Sequence, residues 1–239
     1  MTKPKYKRVL LKLSGESLLP PDSKYGVNLQ TANHIAAEIK VVTDLGVQVG
    51  VVIGAGNIFR GAGAAKVGMD RSTADNMGML ATVINSLALQ DAMIRLGIST
   101  RLLTSFTMHQ VGTPYSHSSA MRYLAEGSAV IFAGGTGNPY FTTDTAASLR
   151  ALEIHADIVC KGTKVDGVYS SDPELDRSAK RYDELSYIEV LSQNLKVMDA
   201  TAISLCMEAK LPILVFNVFE KGNFQRAVLG EKIGTMVHE

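Results

Sequence analysis

The chain has 239 residues, 46% hydrophobic and 20% charged, with a formal net charge of +1. It is long enough to bury a core without disulfide or metal staples, and its composition is ordinary for a globular protein. A nucleic-acid binder usually carries a clear basic excess, so no nucleic-acid partner is expected.

Lys3, Lys5, Lys7 and Arg8 precede the apolar run Val9-Leu10-Leu11, which Lys12 ends at once. A signal peptide needs roughly 7–15 apolar residues, and no stretch is read as approaching the roughly 20 of a membrane span. The two cysteines, Cys160 and Cys206, are expected to be buried free thiols. Together these readings imply a cytoplasmic protein in a reducing compartment with no membrane partner.

Residues 7–13 predict a buried strand, followed by the turn Ser14-Gly15-Glu16 and a turn-rich loop over 20–26. Ile35, Ile39 and Val42 recur at helical spacing over 28–44, with Gly46 as the stop. A valine-rich strand over 47–53 leads into Gly54-Ala55-Gly56-Asn57, and 61–68 reads as loop. A long helix over 74–96 carries Met77, Leu80, Ile84, Leu87 and Met93 on its apolar side, and Met69, Met77 and Met79 read as packing residues. A short strand at 100–103, a helix at 116–126 and a strand at 129–133 follow. Thr142-Thr143-Asp144 then reads as the cap of a helix to about 155. A strand at 157–161, an irregular polar stretch at 162–183, a helix at 198–210, a strand at 212–217, a helix at 224–229 and a final short strand complete the pattern.

Strands alternating with helices predict a mostly parallel sheet covered on both faces. Each glycine-rich polar segment follows a strand, so these segments are expected to meet at the carboxyl edge of the sheet.

Four segments carry candidate chemistry. In Lys12-Leu13-Ser14-Gly15 the backbone N–H groups and the lysine suit an anion; the same residues also fit a strand-end lysine reaching water before a plain turn. Gly56 and Arg60, with Gly61, offer close backbone approach and a planar fork for phosphate, or an ordinary turn with a surface arginine. The stretch 134–144 combines a glycine turn, hydroxyls, the aromatic pair Tyr140-Phe141 and a helix start, a natural phosphate site; Asp144 beside an anion makes sense as an organiser of lysines or metal, or else as a helix cap. Lys161, Thr163, Asp166, Tyr169 and Asp172 fit a nucleotide clamp or a charged surface hairpin. The sequence contains neither G-x-x-x-x-G-K-[ST] nor G-x-G-x-x-G, which excludes a P-loop kinase and disfavours a Rossmann dehydrogenase. The five histidines have no metal-ligand spacing, and His155 near a helix end reads as a structural partner of the backbone.

Taken together, LKLSGE (11–16), QVGVVIGAGNIFRG (48–61), ADNMGMLATVIN (74–85), AGGTGNPYFTTD (133–144), ADIVCKGTKVDGVY (156–169), LKVMDATA (195–202) and LPILVFN (211–217) resemble the amino acid kinase superfamily and, within it, the bacterial uridylate kinases. The likeness runs from about Tyr6 to about Thr235. It implies a three-layer α/β/α sandwich with a mostly parallel central sheet, one domain over 1–239, with an acceptor-side half at about 6–160 and an ATP nucleoside half at about 161–239. It implies ATP, with Mg²⁺ carried on it, as donor, UMP as acceptor, UTP as feedback inhibitor and assembly as a homohexamer.

Residue by residue, the resemblance places Lys12, Leu13, Ser14, Gly15, Gly56 and Arg60 at the ATP phosphates, and Thr163, Tyr169 and Asp172 at the ATP nucleoside. It places Ala55, Asp75, Thr136, Gly137, Asn138, Pro139, Tyr140, Phe141, Thr142 and Thr143 at UMP. Lys12 and Lys161, with Arg60, stabilise the transferring group in this reading; Asp144 orients the lysines and Asp166 helps position them or the metal. The family usually reads glycine where this chain has Ala55, and its methyl is expected to crowd UMP. Kinases of the same superfamily with carboxylate acceptors, and a non-catalytic uridine-nucleotide sensor, are the competing readings.

Overall fold

The computed structural model describes residues 3–19, 23, 25–60, 63, 68–172, 175–176 and 178–239. The expected turns at 20–26 and 61–68, including Gly61, fall largely outside the described residues.

Short runs of β-branched and leucine residues make the sheet. The strands are β1 (Arg8–Leu13), β2 (Gln48–Ile53), β3 (Thr100–Thr104), β4 (Thr113–Pro114), β5 (Ala129–Ala133), β6 (Ile158–Thr163), β7 (Val168–Tyr169), β8 (Arg181–Tyr182), β9 (Glu184–Ser186), β10 (Ile213–Asn217) and β11 (Thr235–His238). Nine of them form one sheet in the order β4-β3-β5-β2-β1-β6-β10-β11-β9, while β7 and β8 pair as a separate antiparallel ribbon. Within the large sheet the β10–β11 pair is antiparallel and the rest are parallel.

The described helices are α1 (Leu29–Asp44), α2 (Arg71–Arg95), α3 (His117–Ala125), α4 (Thr143–Glu153), α5 (Tyr187–Ser192), α6 (Ala200–Glu208) and α7 (Asn223–Leu229). They lie on the two faces of the sheet, as strand alternation requires. Val9, Leu11 and Leu13 of β1 join the core shared with α1, α2 and α7. Leu10 joins the core shared with α3, α4, α5 and α6. The α/β/α layering expected from the sequence is therefore present. β4, β9, α5 and a 3-10 turn at Gly15–Leu18 were not anticipated, nor was the β7–β8 ribbon, which lies within the stretch at 162–183 expected to be irregular.

Helix ends follow local chemistry. Asn28 accepts from Gln30 and Thr31 N–H and starts α1. Asp70 accepts from Thr73 N–H, which moves the start of α2 ahead of the expected residue 74. Gly222, with φ of 85°, has no side chain to cap α7; the buried Glu38 of α1 accepts from Gly222 and Phe224 N–H instead.

The expected apolar side of α2 is corrected. Met77, Leu80, Ile84 and Leu87 are exposed, Leu80 at 47% and Ile84 at 52%, as is Met69. The face turned to the sheet holds Met79, Ala81, Thr82, Val83, Asn85, Ser86, Leu89 and Met93. Thr82 and Ser86 can be buried because their hydroxyls donate to the carbonyls of Met79 and Thr82. α2 is also long and apolar enough in composition to cross a membrane, contrary to the sequence reading, but half of that window is buried within the molecule. His155 packs its ring edge-on against His117, and both cysteines are buried free thiols.

Candidate active site

The seven mutually parallel strands from β4 to β10 in the sheet order end at one edge, and the sequence order reverses on either side of β1, a topological switch point. Lys12 of β1 and Lys161 of β6 are register partners on neighbouring strands. Alternation aims both at the face covered by α4. There Asp144, in the first turn of α4, meets Lys12 Nζ through Oδ1 at 2.5 Å and Lys161 Nζ through Oδ2 at 3.3 Å. Lys161 also donates to the carbonyl of Val197.

Lys12 is only 7% exposed. Burial alone would raise the Asp144 pKa, but the two ammonium groups outweigh it and hold the carboxyl below the usual carboxylate range. Burial lowers the Lys161 pKa, as does the neighbouring Lys12 charge, against the pull of Asp144. Two ammonium groups and one carboxylate leave a net positive charge near the carboxyl edge of the sheet, suited to an anion.

Two turns close over this cluster. Ser14 caps the 3-10 turn through Glu16 N–H, and the Leu13 carbonyl accepts from Gly54 N–H at 2.9 Å. The turns touch so closely that a Cβ at Gly15 would lie 2.6 Å from Asn57 Oδ1, Gly54 O and Gly56 N. Beneath them Asn57 and Asn85 exchange amide hydrogen bonds, and Asn85 Nδ2 donates to Gly54 O at 2.7 Å. Ala55 is not among the residues with positive φ, so a methyl is accommodated where a glycine was expected. Arg60 reaches back over the turns to the Glu16 carboxylate and to Gly56 O.

The segment after β5 forms the opposite wall. Gly134, Gly135 and Gly137 have φ of 83°, 59° and 81°, and Tyr140 has φ of 72°. Asn138 N–H donates to Thr136 Oγ1, and the Tyr140 and Phe141 rings are exposed. Asp75 is brought here from α2: its Oδ2 accepts from Tyr140 N–H at 2.8 Å and from Arg71 Nε at 2.7 Å. After Pro139 the chain enters α4, where Thr142 caps through Asp144 and Thr145 N–H. Thr143 Oγ1 faces the Gly54 turn, 3.5 Å from where a Cβ there would lie. The first and second glycine turns, the loop after β5 and the lysine pair therefore converge.

The third group lies to one side. Tyr169 and Asp172 line a pocket of about 430 Å³ with Gln193, Asn194, Leu195 and Lys196. Thr163 donates to Val165 O at 2.6 Å at the foot of the same loop. Asp166 is engaged elsewhere than the resemblance implies: it accepts from Arg181 Nη1 at 2.8 Å and from Tyr169 OH at 2.7 Å, and no ion pair joins it to either lysine. Burial would raise the Asp166 pKa, but these two hydrogen bonds hold it below the usual value.

The sequence reading passed over Asp199. It caps α6 through Ala202 N–H and accepts the hydroxyls of Thr142 and Thr145, tying the starts of α4 and α6 together. Its position before a helical run was a legible cap signal; its partners were not. Asn85, a polar residue within an apolar helix, was the other available clue. Among the described residues no group of three His, Cys, Asp or Glu side chains converges as a metal site.

Residues 7–217 match the model of the family described as the amino acid kinase family. Among solved structures, the chain is similar to UMP kinase from Bacillus anthracis, at 43% identity over 98% of this chain and 96% of that one, with a TM-score of 0.93. It is similar to UMP kinase from Ureaplasma parvum at 38% identity over 98% and 100%, with a TM-score of 0.89. It is also similar to uridylate kinase from Archaeoglobus fulgidus at 30% identity over 96% and 99%, with a TM-score of 0.74.

Proposed function

The chain belongs to the amino acid kinase family, and we propose that it acts as a UMP kinase, moving the γ-phosphoryl group of ATP to UMP in the synthesis of pyrimidine nucleotides. The observation that carries this is the buried Lys12–Asp144–Lys161 cluster beneath two interlocked glycine turns, with a hydroxyl-rich loop leading into α4 beside it. The UMP kinases and uridylate kinase among the similar structures support the choice of acceptor.

In this reading a phosphate oxygen of UMP attacks the γ-phosphorus in line. The bond to the β–γ bridging oxygen breaks, giving UDP and ADP. Charge spreads over the transferring oxygens, so the protein contributes position and electrostatics. Lys12 and Lys161 offset that negative charge, Asp144 bridges and orients the two ammonium groups, and Arg60 swings from Glu16 to the phosphates. Ser14 and Gly15 N–H, with Gly56, line the donor phosphates. Ala55, Asp75 and residues 136–143 hold UMP. Thr163, Tyr169 and Asp172 hold the ATP nucleoside, which divides the single domain into an acceptor side at about 6–160 and a nucleoside side at about 161–239. Both Asp144 oxygens already face ammonium groups, so Mg²⁺ enters as part of the MgATP substrate.

UTP shares the uridine and phosphate groups of the acceptor and is proposed as a feedback inhibitor. The exposed row Met77, Leu80, Ile84 and Leu87 on α2 supports self-association, with a homohexamer as the expected assembly in the cytoplasm.

The test follows ADP formation from MgATP with UMP, CMP, GMP, aspartate or glutamate in parallel. Turnover with UMP alone establishes the reading; turnover with an amino acid overturns the acceptor while keeping the family.

A further inference from the structure

Arg150 of α4 is 4% exposed, yet it touches none of the groups assigned above to either substrate. Its Nη1 donates to Glu153 Oε2 at 2.6 Å and its Nη2 to Ser105 Oγ at 3.2 Å. The guanidinium lies 3.7 Å from the centre of the Tyr115 ring, and Tyr115 OH donates to the same Glu153 oxygen at 2.6 Å. Its Nε is buried with no hydrogen-bond partner. A buried ion pair with an unsatisfied donor is a poor way to stabilise a core, since apolar side chains of similar volume often do as well or better. The arrangement has to be accounted for by what it holds.

It holds Ser105. This residue follows β3 and sits under the acceptor-side loop. Its hydroxyl accepts from Arg150 and donates to Gly135 O at 2.8 Å. Its Cβ fills the concavity of the glycine turn: a Cβ at Gly134 or Gly137 would lie 3.3 or 3.2 Å from it. Those glycines have left-handed backbones and no side chains with which to fix their own geometry. On the other flank Thr82 Oγ1 accepts from Gly134 N–H at 2.8 Å.

We propose that Arg150, acting through Ser105, is a positioning residue for the phosphoryl acceptor: it sets the height and tilt of the Gly134–Gly137 turn from which residues 138–143 extend. The inference rests on the reading of this loop as the acceptor side. Glu153 and Tyr115 fix the guanidinium plane, and Ser105 passes that orientation to the Gly135 carbonyl.

The experiment uses Ser105→Ala and Arg150→Lys, separately and combined, in the full chain. Arg150→Lys keeps a cation for Glu153 and removes the fork to Ser105. One hydrogen bond's worth of positioning predicts a KM for UMP raised roughly three- to tenfold, with the KM for ATP unchanged. The double variant is expected to be no worse than the worse single one, because both act on one element. Amide exchange over 134–141 is expected to quicken in all three while the strands stay protected. Equal rises in both KM values, an unchanged KM for UMP, or multiplying effects in the double variant would overturn the proposal. If the wild-type chain does not phosphorylate UMP, the acceptor assignment fails first, and amide exchange alone then decides: unchanged exchange over 134–141 sinks the positioning role.

Discussion

Lys12 and Lys161 stand side by side on β1 and β6 and close on opposite oxygens of a single carboxylate, Asp144. Two like charges at adjacent strand spacing repel, and Asp144 offsets that repulsion by pairing with both. The cluster is therefore a tensioned arrangement whose members respond to one another.

Removing Lys12 takes away one charge that the proposed reading aims at the transferring group. Lys12→Ala is expected to lower kcat by about 10²–10³-fold, the usual effect of losing one preorganised donor. Its fold is expected to survive, since Asp144 keeps Lys161. Steady-state kinetics beside circular dichroism checks both halves of the statement.

Removing Asp144 does the opposite. Asp144→Asn leaves two buried ammonium groups without a counter-charge, and breaking such a pair costs about 3–5 kcal/mol. Thermal unfolding of the variant is expected roughly 6–20 °C below wild type. A melting temperature within a degree or two would show that the lysines do not depend on this carboxylate.

The same groups set the pH response. The Asp144 pKa is depressed in the folded chain, so its stabilising effect is fully present above the unfolded value of about 3.9 and is lost as pH falls through the folded one. Lys161 is depressed too, by burial and then by Lys12. It therefore loses its proton at lower pH than a free lysine, and kcat is expected to fall on the alkaline side before the ordinary lysine range. In Lys12→Met the repulsion is gone, and the Lys161 titration, followed by nitrogen-15 NMR, is expected to move upward.

Gly15→Ala tests the interlocked turns. The new methyl has no room between Asn57 Oδ1, Gly54 O and Gly56 N, so the turns must part, at about 1–3 kcal/mol. ATP affinity is expected to fall with stability. Unchanged affinity for ATP would count against the proposed placing of the ATP phosphates at these turns.

Glu38→Ala serves as a contrast. It leaves the Gly222 and Phe224 N–H groups of α7 without their buried acceptor, at about 1–3 kcal/mol. Stability is expected to drop while both KM values hold, because α7 caps the far core and holds no substrate in the proposed reading.

Much of this was legible beforehand for a simple reason: the apolar runs are short, and nearly every run that ends in glycine or lysine ends at the same sheet edge. Lys12, Asp144 and Lys161 could be picked out as lone charges at strand and helix ends. The orientation of α2 could not. It has apolar residues on both sides, and periodicity does not say that Thr82, Asn85 and Ser86 would turn inward with their bonds already made while Leu80 and Ile84 turned out. β4, β9 and α5 are too short to carry a pattern; their neighbours define them. Asp199, Ser105 and Arg150 matter through partners distant in sequence, which spacing along one chain does not encode.

The place of β1 at the centre of the sheet has a consequence for how the chain is made. Its partners are β2, close behind, and β6, which follows about 150 residues later. During synthesis the first strand emerges early, with one edge unpaired until most of the chain has left the ribosome. Closing so long a loop is slow relative to local helix formation. The lysine pair, divided between these two strands, comes into being only when that gap shuts, so a partly folded chain lacks the proposed phosphate site. Recovery of activity after dilution from denaturant should then lag behind recovery of helix signal.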